Sequence, residues 1–266
     1  MGSSRASEIR EVQAGYSRPD QGVLEGSPQR SKTIWGWVVV FVLLALLAVL
    51  LIGLWVGNSG GGEWGNTMRP NLMFNLHPLF MVLGFILIVG HTNLIYRFWP
   101  DANITALRIA HATLQLSGWL LMVLGVYAVG FSKDYSSKKP SHFVSVHSWI
   151  GLIVLIVMTL QWLCGFFGLL VPGCHGERRA AYRLTHVFTG NVIFLLGCAE
   201  ILIGIDQLKP TASTNTLALT VAAYAILGGY LLSTNKFSKG RPDPDAAADR
   251  GEREPLTRQS GQAIYT

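Results

Sequence analysis

The sequence predicts an all-α, polytopic membrane protein with six transmembrane helices. Three observations carry this. Half of the 266 residues are hydrophobic and only 14% are charged, against about a quarter charged in soluble domains. The charge is segregated into loops and tails. Six apolar segments each reach the ~20 residues that cross ~30 Å of hydrocarbon at 1.5 Å per residue.

Residues 1–31 are polar, rich in Ser, Gly, Gln and Arg, and lack apolar periodicity, so a disordered tail is expected there. The first apolar run lies too far along for a typical signal peptide and is read as a retained span or signal anchor. The spans are placed at 34–57, 72–96, 106–130, 143–170, 184–206 and 213–235, within a domain covering 32–236. Residues 237–266 form a second polar tail, also expected to be disordered.

Cys164, Cys174 and Cys198 are the cysteines, two of them inside apolar segments. An odd number so placed argues against a disulfide framework. The net charge of +6 does not point to nucleic acid, because the basic residues flank apolar segments and form no face; topology and anionic lipid account for them. Arg30, Lys32, Arg97, Arg108, Arg178, Arg179, Arg183, Lys236, Lys239 and Arg241 fall on one side of the membrane, and Arg69, Lys133, Lys138, Lys139 and Lys209 on the other. The positive-inside rule makes the first side cytoplasmic, with both termini there. The sequon Asn103-Ile104-Thr105 is then cytoplasmic and expected to carry no glycan.

The chemistry lies in the histidines. His77, His111, His147 and His186 stand near the starts of four successive spans. Because spans alternate direction, His77 and His147 share the non-cytoplasmic depth, and His111 and His186 the cytoplasmic one. Each pair can face across a four-helix bundle and hold one haem iron from opposite sides. With both axial positions filled, the chemistry is electron transfer. Two such centres, their irons roughly 15–20 Å apart along the normal, form a transmembrane electron path. Gly84, Gly118, Gly151 and Gly190 lie four or seven residues after these histidines, on the same helix faces. They are read as room for a flat macrocycle, with close helix packing the alternative. His91, fourteen residues after His77, would need a second helix with a similar pair and is set aside. His175 is expected in a solvated cytoplasmic loop, and His142 at the outer mouth of span 4. An intramembrane histidine can also serve a transporter for metal ions or protons; that haem-free reading is the competing one.

Phe74-Asn75-Leu76-His77-Pro78, Leu94-Ile95-Tyr96-Arg97, His111-Ala112, His147-Ser148-Trp149-Ile150-Gly151 and His186-Val187 with Gly190 resemble the cytochrome b561 family, over about residues 70–205. The histidine spacings of 34, 36 and 39 fit that family. The resemblance implies a usually homodimeric oxidoreductase with two haem b. Cytoplasmic ascorbate would give an electron to the inner haem, and the outer haem would pass it to monodehydroascorbate or a ferric chelate. It also implies that His77, His111, His147 and His186 are the axial ligands. Arg108 stands where the family usually has Lys, three residues before the second ligand, and Arg179 matches an Arg seven before the fourth. Cationic side chains there would attract the ascorbate anion. Arg183 is a further candidate and Arg97 a weaker one; anchoring to the cytoplasmic face is the alternative role for all four. Outside, Val144 replaces the Tyr of many animal members, and His142, Lys138 and Lys139 are candidates to bind an anionic acceptor or to coordinate iron. The short link between spans 5 and 6 marks a divergent member.

Overall fold

The computed structural model describes residues 28–99, 102–171 and 176–234. His175, Cys174 and the polar tails, apart from residues 28–31, lie outside them. The chain divides into Met1–Gly36 and Trp37–Thr266, and the packing described here lies within the second.

Six helices are long and apolar enough to span a membrane. They are α1 (Pro28–Asn58), α2 (Pro70–Asn93), α3 (Ile104–Tyr135), α4 (Val146–Leu170), α5 (Gly176–Asp206) and α6 (Ala212–Ser233). Helix α1 begins inside the stretch expected to be a tail, and α3 and α5 run further than expected from apolar pattern alone. Local chemistry fixes several starts. Asn103 caps α3, its side chain accepting from the N–H groups of Thr105 and Ala106; the sequon asparagine is thus a helix cap. Ser145 and Ser148 form a capping box at α4, and Thr211 and Thr214 one at α6.

Helix α2 is irregular. It breaks at buried Asn75, whose side-chain amide donates to the carbonyls of Ser59 and Gly61 and so pins the α1–α2 link. Pro78 removes one helical donor just beyond. Val82–Val89 then widens into a π-helix, a form that often marks functional segments. Tyr224 of α6 donates to the Ile86 carbonyl at 2.7 Å. Gly90 permits that approach, since a Cβ there would collide with the Tyr224 hydroxyl.

Helix α3 packs along α2 and against α4, and α5 packs against α4 and α6. The core is aliphatic and aromatic, with Phe85, Ile86, Phe194 and Tyr224 fully or almost fully buried. Leu43, Leu50, Leu120, Ile153, Leu160, Leu219 and Ile226 stay exposed, as lipid-facing positions do. Gly84 and Gly118 oppose one another: a Cβ on either would lie within 2.8 Å of the other's carbonyl oxygen. They bring α2 and α3 together, so the packing role displaces the macrocycle role expected for this pair.

Candidate functional site: two histidine pairs

The bundle brings the four histidines together as two pairs. The rings of His77 and His147 have centres 6.1 Å apart and planes at 81°. Those of His111 and His186 are 6.4 Å apart at 67°. A metal–imidazole bond of about 2 Å places two trans ligands with ring centres about 6 Å apart, so each gap fits one iron.

Two of the four rings meet a backbone carbonyl behind them. Nδ1 of His77 lies 3.0 Å from the carbonyl oxygen of Gly125 on α3, and Nδ1 of His111 lies 3.1 Å from that of Thr92 on α2. An Nδ1–H donating there leaves Nε2 for a metal, the usual outer-shell arrangement of a ligating histidine. Nδ1 of His147 lies 2.6 Å from Oε1 of Glu200 on α5. The pair does not meet the geometry of an aligned hydrogen bond. Nδ1 of His186 is buried with no hydrogen-bond partner among the described residues.

Two glycines that sequence reasoning missed place the rings. A Cβ on Gly204 of α5 would lie 2.8 Å from Cε1 of His147, and a Cβ on Gly165 of α4 would lie 2.6 Å from Cε1 of His186. Each glycine falls eighteen residues after one of the paired histidines, five full helical turns. The antiparallel α4 and α5 thus carry one histidine and one glycine each, reciprocally matched. Eighteen residues rise about 27 Å. His147 is the second residue of its helix, at its very end. Of the other glycines singled out, Gly151 faces the Glu200 carboxylate and Gly190 faces Gln161.

His111 and His186 open into a cavity of about 480 Å³ that is also walled by Arg97, Arg108, Arg179, Arg183, Tyr96 and Gln161. Gln161 donates to the His186 carbonyl at 2.6 Å, and Trp162 to that of Ala112 at 2.9 Å, joining α4 to both ligand helices. Desolvation pushes the Tyr96 phenol up to about 12 against the opposite pull of Arg108, so it remains a neutral donor. All three principal arginine candidates thus reach one cavity with the second pair.

Arg97 also has a structural role. Its guanidinium donates to the carbonyls of Leu231, Leu232 and Thr234. It closes the C-terminal end of α6 while lining the same cavity. Arg179 also donates to the Leu169 carbonyl at the end of α4. At the other end, His142 is exposed, with Nε2 2.9 Å from Asp134 Oδ1; Lys138, Lys139 and Val144 are exposed as well. His91 is a buried ring against Phe41, Phe98 and Tyr224, with neither nitrogen hydrogen-bonded among the described residues.

Residues 76–210 match the family model described as eukaryotic cytochrome b561. The chain belongs to the cytochrome b561 family. It is 33% identical over 211 residues to a sheep (Ovis aries) protein named transmembrane ascorbate-dependent reductase CYB561, covering 74% of this chain and 81% of the sheep one. A mouse (Mus musculus) protein of the same name is 35% identical over 212 residues, covering 74% and 82%. The mouse lysosomal membrane ascorbate-dependent ferrireductase CYB561A3 is 29% identical over 238 residues, covering 81% and 95%. Cytochromes b561 are haem b proteins. All four histidines fall within the matched segment.

Proposed function

We propose that this protein carries electrons one at a time from cytoplasmic ascorbate, through two bound haem b groups, to an acceptor on the other side of the membrane. His111 and His186 hold the inner haem, and His77 and His147 the outer one. The observation that carries the reading is the pair of ring separations, 6.1 and 6.4 Å, at opposite ends of one bundle. A haem held between the two imidazoles of a pair would supply one-electron transfer. The chain's own residues do the rest. Arg108, Arg179 and Arg183 attract and orient the ascorbate anion beside the inner pair. The donor loses one electron and one proton and becomes monodehydroascorbate. Outside, His142, Lys138 and Lys139 face a monodehydroascorbate that is reduced to ascorbate, or a ferric chelate reduced to its ferrous form. Family membership among proteins named reductases favours this over a haem-free transporter.

The orientation, with both termini cytoplasmic, follows the excess of Lys and Arg on that side. The homodimer belongs to the same proposal and is checked by the mass of the protein in nanodiscs. The principal test is haem content: protein purified from haem-supplemented cells should hold two haem b per chain and be reduced by ascorbate. Folded protein that takes up no haem refutes the reading. A glycan mapped to Asn103 would reverse the orientation.

A further inference from the structure

Glu200 stands out among the groups the electron path does not use. It is an acidic residue six positions before the end of an apolar span that closes at Asp206, 7% exposed, and a buried charge there is costly unless it has a partner. Oε1 lies 2.6 Å from Nδ1 of His147, and Oε2 has no hydrogen-bond partner among the described residues. The neighbouring helix makes room for the group: a Cβ on Gly151 would lie 2.9 Å from Oε1. Gly204, one turn beyond Glu200, backs the same imidazole. The carboxylate is thus fitted between a bare stretch of α4 and one ligand ring. Among the described residues, Nδ1 of His77 and of His111 each meets a neutral carbonyl, and Nδ1 of His186 has no hydrogen-bond partner.

We propose that Glu200 is a positioning residue for His147, one that makes the His77–His147 centre a stronger reductant than the same pair of imidazoles would be without it. A carboxylate set against the back of a ligating imidazole would favour, by its field alone, the ferric state of the iron that the ring would hold. The effect passes through His147; Glu200 itself touches neither substrate nor metal. No proton or bond changes hands. With haem held by the His77–His147 pair, the carboxylate would tilt that centre toward giving up its electron. This inference rests on reading the pair as axial ligands.

The test is an optical redox titration of the full-length holoprotein in nanodiscs, comparing wild type with E200Q, E200T and E200D. A neutral variant should raise one midpoint, shifting that centre's reduction equilibrium by at least about tenfold, or about 59 mV for one electron. The other midpoint should stay put, and E200D should remain within about threefold of wild type. Replacing His147 identifies which midpoint belongs to which pair. Unmoved midpoints in E200Q and E200T, or an equal shift in E200D, would overturn the inference. Should both neutral variants lose the His147 haem while E200D keeps it, the carboxylate is required and the inference stands. Loss in E200D as well leaves only a space-filling role and sinks it. Failure of the underlying reading looks different: wild type without haem, or both haems retained when His147 is replaced.

Discussion

At the His77–His147 end, one ligand ring rests against a buried carboxylate, and the exposed groups near the start of α4 are a His–Asp pair and two lysines. At the His111–His186 end, neither ring meets a carboxylate among the described residues. The rings open instead onto a cavity walled by four arginines. Both ends use nearly the same imidazole separation. The difference therefore lies in the charge behind and around the ligands. Under the proposed function, cations at the His111–His186 end would suit capture of an anionic donor, and a carboxylate at the His77–His147 end would suit an electron that is given away.

The largest expected effect comes from removing a ligand. His186→Ala should lower haem content from two to one per chain and abolish reduction by ascorbate from the cytoplasmic side. His147→Ala should also remove one haem yet leave the inner centre reducible. The spectra and stopped-flow traces of the two variants should differ in that way. Normal inner-side reduction in His186→Ala would break the assignment of ends. Next come the paired glycines. Gly165→Val should displace His186, and Gly204→Val should displace His147, each emptying one centre and sparing the other, because overpacking a filled contact costs about 1–3 kcal/mol. Loss of the same centre in both variants would dissolve the reciprocal match.

How far the sequence discloses this arrangement depends on the range of the interaction. The spans, the depths of the four histidines and their pairing follow from hydropathy and spacing, because a membrane forces helices to alternate. The glycines at 84 and 118 were legible as significant but not as to purpose. Only the α2–α3 crossing shows that they meet each other. Gly165 and Gly204 carried a readable signal, five whole turns from a ligand, that becomes meaningful only once α4 and α5 are known to lie antiparallel. Glu200 too was visible as a lone acid in an apolar run, a pattern that marks functional positions in membranes. Its partner could not be read, because the choice of His147 depends on helix rotation. Arg97 reaches carbonyls more than 130 residues away, and nothing local in Tyr96-Arg97 foretells that contact.

The inner arginines then separate by role. Arg108→Gln should raise KM for ascorbate about tenfold, the loss of about 1.4 kcal/mol, with a salt dependence weaker than that of wild type. Haem content should stay at two. Arg97→Gln should leave KM unchanged and lower thermal stability, since the C-terminal carbonyls of α6 lose their donors at about 1–3 kcal/mol for those left buried and unpaired. A KM effect of similar size in both variants would add Arg97 to the substrate site.

The smallest effect is expected at His142, and it bears on the outer end alone. The His142–Asp134 contact is exposed on both sides, 44% and 64%, and such pairs contribute at most about 1 kcal/mol to stability. His142→Ala should therefore leave folding, haem content and reduction by ascorbate intact. If the exposed His142, Lys138 and Lys139 form the landing surface for the acceptor, reoxidation of the outer centre should slow by about threefold, consistent with loss of one weak solvent-screened contact. Stopped-flow reoxidation with monodehydroascorbate and with a ferric chelate distinguishes the two acceptors. Slowing confined to the ferric chelate would assign His142 to iron, because an imidazole can ligate the metal where a lysine cannot. Slowing with both would point to general attraction of anions. Equal rates for variant and wild type with both acceptors would remove His142 from the outer site and leave Lys138 and Lys139 as the groups to replace next.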